Sequence, residues 1–273
     1  MTTLDASGAF DALLAKLGEP SGEYRNPAVF DGHLRIYLTL HCNLRCPYCV
    51  NEQVGPHDKA YPVRPPRDWR DAINREQRHV VFTGGEPFLY PGLAELVNGI
   101  EPGLKVRVYT NFSLDATPVL AAVTRPVHLY VSWHPQRRVD RGVFLANLRA
   151  MQGNPLFTAD LHAIDARESR AGLAADLAFF ADQGFTVRMD DDQRAFEGAG
   201  QATRRMAACS KTIYLIAPDG TRYQCVSRLV RRDSPMENLF DGPLGLASAV
   251  SLCPDYGNCS PCDALGETRM VLA

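Results

Sequence analysis

At 273 residues and 45% hydrophobic composition, the chain is long enough to bury a substantial core and falls within the size of one α/β domain with an appendage. A formal net charge of −2 supplies no global basic field, which argues against nucleic acid as a partner; with no run of eighteen apolar residues and no basic-then-apolar leader, a soluble cytoplasmic protein without a membrane partner is expected. The eight cysteines fall in tight groups that suit metal clusters better than four disulfides, and a reducing compartment follows.

Residues 1–31 read as an N-terminal cap segment with a short helix candidate, Phe10 to Leu17, ended near Gly18 and Pro20. The run Leu34 to Leu40 reads as the first strand, because leucine, β-branched and aromatic residues dominate it. It feeds the loop His41-Cys42-Asn43-Leu44-Arg45-Cys46-Pro47-Tyr48-Cys49, where three cysteines stand in the spacing C-x3-C-x2-C. Three thiolates on one loop can converge on one face of a soft metal centre. A closed structural zinc site wants four ligands, usually as two separated pairs, whereas an iron–sulfur cube held by three thiolates keeps one iron free. Zinc remains the competing reading of this segment alone.

The stretch Gly55 to Pro66 has no apolar periodicity and reads as an exposed connection, one that can cover a site. Trp69 to Gln77 reads as a helix. Strands are then expected at His79 to Thr83, Lys105 to Thr110, Val127 to Ser132, Phe157 to Ile164 and Phe185 to Met189. Helices are expected around Gly92 to Gly99, Ala116 to Val123, Val139 to Met151 and Glu168 to Gln183. Six strands alternating with helices argue a parallel βα repeat, too short for a full eight-stranded barrel and so a partial barrel or an open sheet. The binding face is expected at the carboxyl ends of the strands. Polar residues gather there: the cysteine loop, Thr83 to Pro87, Thr110-Asn111, Ser132-Trp133-His134, His162 and Asp165, and Arg188 and Asp190. Taken singly, each is an ordinary loop residue about as often as not; their shared placement is the signal.

From about Arg194 the character changes. After Cys209, the run Thr212 to Ala217, the turn Pro218-Asp219-Gly220 and the run Thr221 to Val226 read as a β-hairpin that brings Cys209 and Cys225 together. The tail carries Cys253, Cys259 and Cys262. With little apolar material and five cysteines, this segment is expected to depend on a metal centre for its fold.

The C-x3-C-x-aromatic-C loop after strand 1 and Gly84-Gly85-Glu86-Pro87 after strand 2 resemble the two signatures of the radical SAM enzymes, over about residues 34 to 190. The tail resembles that family's SPASM and shorter twitch extensions, through Cys209 followed by Gly220-Thr221-Arg222-Tyr223-Gln224-Cys225. The fold then expected is a partial (β/α)6 TIM-like barrel at 32–193 with a small cysteine-rich twitch/SPASM-like domain at 194–273. The resemblance implies a [4Fe-4S] cluster on Cys42, Cys46 and Cys49, whose open iron takes the amino and carboxylate groups of S-adenosyl-L-methionine. It also implies Tyr48 against the adenine, Gly84, Gly85 and Glu86 as the edge that accepts the amino group, and Ser132 with Asn111 near the ribose. A full SPASM domain holds two auxiliary clusters on about seven cysteines. The five here support one, on Cys209, Cys225 and two of Cys253, Cys259 and Cys262, with the Cys259–Cys262 pair preferred and Cys253 left as a thiol.

The chemistry implied is reductive cleavage of the cofactor to a 5′-deoxyadenosyl radical that abstracts hydrogen from an unactivated carbon, with an external one-electron donor such as flavodoxin or ferredoxin. An auxiliary cluster that accepts an electron gives net oxidation of an alcohol or a peptide crosslink; a thiol such as Cys253 that returns a hydrogen atom gives epimerisation. His134, His162 or Asp165 can serve as a base, although for both histidines a hydrogen-bonded scaffold role is the more common case. Asp165, Arg188, Asp190 and His162 form the expected substrate pocket. Oxidative modification of a peptide side chain is ranked ahead of dehydrogenation or epimerisation of a small hydroxylated molecule such as an amino sugar. A non-catalytic, metal-stabilised binding protein is the alternative of a different class.

Overall fold

The structure, a computed structural model, describes residues 32–53, 60–135, 139–192, 194, 205–211, 213–245, 251–256 and 268–272. The helix expected at Phe10 to Leu17 and the cysteines Cys259 and Cys262 lie outside the described residues, as does the start of the Gly55 to Pro66 connection.

Six strands run parallel in simple sequence order. They are β1 (Leu34–Thr39), β2 (Val80–Gly84), β3 (Val106–Thr110), β4 (Val127–Trp133), β5 (Phe157–Asp165) and β6 (Arg188–Asp191). The connecting helices are α1 (Val50–Gln53), α2 (Pro66–Glu76), α3 (Leu93–Gly99), α4 (Thr117–Ala122), α5 (Arg141–Gln152) and α6 (Arg170–Asp182). Helices α2 to α6 all supply side chains to one buried core against the sheet.

Local chemistry explains the ends of these elements. Pro66 occupies the first helical position of α2, where its missing N–H costs nothing, and Asp68 sits in the first turn. The Asp140 carboxylate caps α5 by accepting from the N–H groups of Gly142 and Val143 at 2.6 and 3.3 Å. Strand β4 alternates strictly, with Val127, Leu129, Val131 and Trp133 buried toward the helices and His128, Tyr130 and Ser132 on the opposite face. The helix-side core gathers Leu34, Ile36, Trp69, Ile73, Phe82, Leu96, Phe144, Leu148 and Phe180, and each such fully buried side chain contributes about 2 kcal/mol.

Two expectations are corrected. The sixth strand begins at Arg188, not Phe185, because Gly184 turns the chain at φ +84° and Phe185 folds back into the core, its N–H bonded to the Phe180 carbonyl at 2.9 Å. The hairpin expected in the C-terminal segment forms, but it extends the main sheet: β8 (Tyr214–Ile216) pairs parallel with β1, and β9 (Arg222–Tyr223) pairs antiparallel with β8. Both faces of β8 are apolar and buried. Tyr214 and Ile216 join the helix-side core, whereas Ile213, Leu215 and Ala217 pack with Tyr37 and Leu40. A strand buried on both faces finds its place inside a sheet, not in a small separate lobe. Leu239 and Leu244 also enter the main core, and the Arg75 guanidinium on α2 bonds the Leu239 and Gly242 carbonyls. The expected division at 193/194 therefore cuts through a continuous sheet. Helix α7 (Val226–Arg231) follows β9.

The second sheet has three strands in the order β10-β7-β11, namely β7 (Arg205–Lys211), β10 (Ser251–Tyr256) and β11 (Thr268–Leu272), paired antiparallel.

Candidate functional site

The carboxyl ends of β1 to β5 meet around the cysteine loop. The loop opens with the His41 N–H bonded to Thr39 Oγ1 at 3.0 Å, and the chain after β2 docks against it. The Gly85 N–H bonds the Thr39 carbonyl at 2.7 Å and the Glu86 N–H bonds the His41 carbonyl at 2.9 Å. A Cβ on Gly84 would stand 2.1 Å from the Thr39 oxygen, and Gly84 also has φ +138°. Only glycine permits this backbone-to-backbone approach. The Gly84 carbonyl in turn accepts from Asn51 Nδ2 at 3.4 Å.

Cys42, Cys46 and Cys49 all pack against one small apolar group formed by Leu44, Tyr48 and Ala166, with Cys46 7% exposed and the other two half-buried. The Cys49 N–H bonds the Cys46 carbonyl at 2.9 Å, closing the turn that sets the last two thiols. Burial pushes the Cys42 thiol up to about 11, and the nearby Glu86 and Cys49 add to that rise, while hydrogen bonds from Leu44 and Asn111 oppose it. This pocket disfavours a bare thiolate and offers soft sulfur donors, so it fits a centre that brings its own positive charge. Among the described residues no three His, Cys, Asp or Glu side chains form a ready single-ion site. A four-iron cube spreads its thiolates wider than one ion does.

Glu86 is anchored through its side chain. Its carboxylate is buried and accepts from the Phe88 N–H at 3.0 Å, Thr110 Oγ1 at 2.8 Å and the Asn111 N–H at 2.8 Å. Burial raises its pKa to about 7 against those three hydrogen bonds. The side chain thus ties the exit of β2 to the exit of β3, and only the backbone of Gly84-Gly85-Glu86 is left to form an accepting edge. Asn111 Nδ2 reaches Cys42 Sγ at 3.6 Å and Asn43 Oδ1 at 3.1 Å.

A polar file links β4 to the loop. Ser132 Oγ donates to the Thr110 carbonyl at 3.3 Å and lies 2.7 Å from His134 Nε2, and His134 Nδ1 lies 2.7 Å from the Tyr48 hydroxyl and 3.7 Å from Cys46 Sγ. The Tyr48 and His134 rings stack at 5.8 Å, and the Arg194 guanidinium lies 5.9 Å from the Tyr48 ring. Burial lowers the His134 pKa to about 4, so the ring is neutral at neutral pH with both nitrogens engaged. It bridges two elements, and a role as base would require one of those bonds to be given up.

His162 is the register partner of Ser132 on the neighbouring strand and shares its face. Its Nδ1 lies 3.0 Å from Asp190 Oδ1, the Tyr130 hydroxyl donates to the other oxygen of Asp190, and the His162 ring stacks on Tyr130 at 3.9 Å. Burial acts to raise the Asp190 pKa, but the His162 and Tyr130 hydrogen bonds prevail and hold it below the usual carboxylate range. An ionised Asp190 can only accept, so Nδ1 carries the hydrogen of that bond, and Nε2 is buried with no hydrogen-bond partner among the described residues. Arg188 lies on the same face as Asp190, two residues along β6. Asp165 does not join them. Three residues beyond His162 it faces the other side of the sheet and pairs with Arg170 at 2.7 Å, which removes it from the expected pocket.

Gln224 Nε2, one residue before Cys225, donates to the Cys209 carbonyl at 3.2 Å and approaches its Sγ at 3.8 Å. Cys253 pairs with Ala207, which puts it on the same face of the ladder as Cys209, a diagonal step away.

Sequence reasoning missed Asn147, fully buried on α5. Its Oδ1 accepts from the Ala116 N–H at 3.0 Å, and its Nδ2 donates to the Phe112 and Leu114 carbonyls at 2.9 and 2.6 Å, pinning the loop after β3. Nothing local marks it beyond an amide on an apolar helix face. Tyr130 was also missed, although the alternation of β4 puts it on the face of His128 and Ser132.

Residues 36–124 match the family model of the radical SAM superfamily. The chain is 31% identical over 88 residues to a 7-carboxy-7-deazaguanine synthase of Clostridium acetobutylicum, covering 31% of this chain and 40% of that protein. It is 36% identical over 66 residues to a GTP 3′,8-cyclase of Chlorobaculum tepidum, covering 24% of this chain and 20% of that one. The chain therefore spans well under half the length of these curated relatives. Among solved structures, anSMEcpe with bound AdoMet superposes with a TM-score of 0.57 at 12% identity, covering 78% of this chain and 79% of that one. Streptococcus suis SuiB bound to S-adenosylmethionine gives 0.51 at 14% identity, covering 87% of this chain and 68% of that one. At these identities the likeness is one of fold.

Proposed function

We propose that this chain is a radical SAM enzyme that oxidatively modifies a peptide side chain, holding a [4Fe-4S] cluster on Cys42, Cys46 and Cys49 and S-adenosyl-L-methionine beside it. The coarser part, a radical SAM enzyme, is supported by the family match over 36–124 and by the fold neighbours. One observation carries the reading furthest: the three thiols, the Gly84-Gly85 edge and the Ser132–His134–Tyr48 file meet at one end of a parallel sheet. When bound, cluster and cofactor together supply a carbon radical able to abstract hydrogen from an unactivated carbon.

The chain's own residues bind, orient and exclude. The carbonyl groups of 84–86 form the edge that accepts from the methionine amino group, while the Gly85 and Glu86 N–H groups hold that edge against β1 and the cysteine loop. Tyr48 meets the adenine through its backbone, because its ring and hydroxyl are engaged with His134. His162 Nε2 accepts a proton from a substrate O–H or N–H, with Asp190 stabilising the cation that results. The sheet face that carries Ser132 and His162 keeps water from the reacting carbon. The C-terminal cysteines would hold a second [4Fe-4S] cluster, which would supply an acceptor for the electron left on the substrate, and the shared face of Cys209 and Cys253 favours Cys253 as one of its ligands over a spare thiol. An external one-electron donor of the flavodoxin or ferredoxin kind supplies the first electron.

A peptide ranks first because two of the fold neighbours, SuiB with precursor peptide SuiA and anSMEcpe with Cp18Cys peptide, are named with peptides bound. A small hydroxylated molecule is the second reading. It is favoured by the sequence relatives, which are named for non-peptide products, and by the compact His162–Asp190–Arg188 group.

Anaerobic reconstitution with iron and sulfide tests the reading. About eight irons per chain support two cubes and about four support one, while zinc without iron defeats it. Release of 5′-deoxyadenosine in the presence of a reductant then tests turnover, and its absence from iron-loaded protein overturns the enzyme assignment.

A further inference from the structure

The side-chain amide of Asn111 is fixed in one orientation. Its Oδ1 accepts from the Ser113 backbone N–H at 2.9 Å, a group that can only donate, and the Ser113 hydroxyl donates to the same oxygen. Nδ2 must therefore point the other way, toward Asn43 Oδ1 at 3.1 Å and Cys42 Sγ at 3.6 Å. Asn43 closes a ring, its own Nδ2 donating to Ser113 Oγ at 2.7 Å. The base of this ring is rigid: the Asn111 N–H is held by the buried Glu86 carboxylate, and Phe112 and Leu114 are held by Asn147. The Leu44 N–H also reaches Cys42 Sγ, at 3.4 Å, so this sulfur receives one backbone donor and one side-chain donor.

We propose that Asn111 is a positioning residue that sets the reduction potential of the cluster at its Cys42 corner, its amide held by the Ser113 backbone N–H in the orientation that puts one N–H on the sulfur. This rests on the reading of Cys42 as a cluster ligand. A hydrogen bond to a cluster sulfur strengthens as the sulfur gains electron density, so it stabilises the reduced form and raises the potential. Partners of ligands, one bond removed from the metal, are where proteins tune such centres. A side chain that came from the loop itself would move with the cysteine. Asn111 stands at the exit of β3, its N–H held by Glu86, so the donor stays put while the loop adjusts.

The test is an EPR-monitored redox titration with dithionite on reconstituted protein carrying only the first cluster, with the C-terminal cysteines replaced. Asn111→Ala removes the donor, and Asn111→Asp replaces it with a negative oxygen of the same shape; both are expected to titrate at a more negative potential, Asp further than Ala. Ser113→Ala is the control for mere structure, because the Ser113 backbone N–H still orients Asn111, and its potential is expected to stay near that of the parent. Equal potentials in parent and both Asn111 variants overturn the proposal, as does a Ser113→Ala shift as large as that of Asn111→Ala. Should the Asn111 variants fail to load iron, the parent protein with nitrogen-15 confined to asparagine side chains decides: pulsed EPR of its reduced cluster is expected to show a nitrogen-15 coupling, and none overturns the proposal. A parent that takes up no iron instead defeats the assignment of Cys42 as a ligand, a separate failure.

Discussion

Gly85 meets the His41 carbonyl so closely that a Cβ placed on it would stand 1.9 Å from the oxygen. The obstacle is backbone, so nothing flexible can give way, and the loop that carries the cysteines must separate from the exit of β2. Gly85→Ala is expected to destabilise by about 3 kcal/mol. It should also expose Cys42 and Cys46 to alkylation by iodoacetamide. Gly103→Ala is the matched control, since a Cβ there meets nothing within 4 Å. Thermal melts and alkylation rates of the two variants decide it, and identical behaviour would mean that this contact does not hold the loop.

Glu86 makes a pH prediction with a definite sign. Its pKa is raised from 4.5 to about 7 by burial, so between those values the folded protein holds a proton that the unfolded chain has released. The stabilisation is fully present below pH 4.5 and fades as pH rises through about 7, a loss on the order of 3 kcal/mol. Urea melts across that window should show midpoint stability falling with pH in the parent. The same series on Glu86→Gln should be flatter, whatever its overall level, and parallel slopes would place the titration elsewhere.

How far the sequence carried the fold depended on whether the signal was local. The alternation of Val127 to Trp133 and the apolar run of β1 revealed their strands because each face meets one environment along its whole length. The thiol loop and Gly84-Gly85 were legible because steric demand and metal chemistry are written into residue type. The orientation of Asn111 was not, since an asparagine after a strand suits a ligand, a turn or a neighbour equally well, and only the Ser113 N–H decides among them. Asp165 misled for a related reason: sequence proximity to His162 hides the strand parity that sends the two side chains to opposite faces. The placement of the hairpin at 214–223 misled because its pairing partner, β1, lies 180 residues earlier in the chain, and no local pattern states which edge a strand will take.

Asn147 is expected to be a stability residue that announces itself in the site. Its side chain satisfies one N–H and two carbonyls in the loop after β3, and Asn147→Leu leaves all three buried and unpaired. Each orphaned group costs about 1 to 3 kcal/mol, so the total should reach several kcal/mol. Thermal unfolding checks the magnitude. Hydrogen exchange at Asn111 to Ala116 should accelerate ahead of the rest of the sheet, and uniform acceleration would instead mark a global loss of packing.

The eight cysteines should divide into two classes by what their loss does. Replacing Cys42, Cys46 or Cys49 with alanine removes one of the three thiols that share the Leu44–Tyr48–Ala166 pocket, and each variant is expected to lose the EPR signal of the first cluster together with all 5′-deoxyadenosine formation. Neither Cys209, whose carbonyl accepts from Gln224, nor Cys225 belongs to that pocket. Their alanine variants are expected to keep cofactor cleavage while losing about half the bound iron and the coupling of cleavage to product. Cys253 separates two outcomes. As a ligand on the Cys209 face it should behave like Cys209 and lose iron. As a thiol that returns hydrogen it should keep its full iron and stall after abstraction, and substrate carrying deuterium at the reacting carbon would then transfer label to 5′-deoxyadenosine without yielding product. Undiminished cleavage in all three first-loop variants would end the assignment of that loop, because a corner of the cube left without its thiolate cannot hold the iron that binds the cofactor.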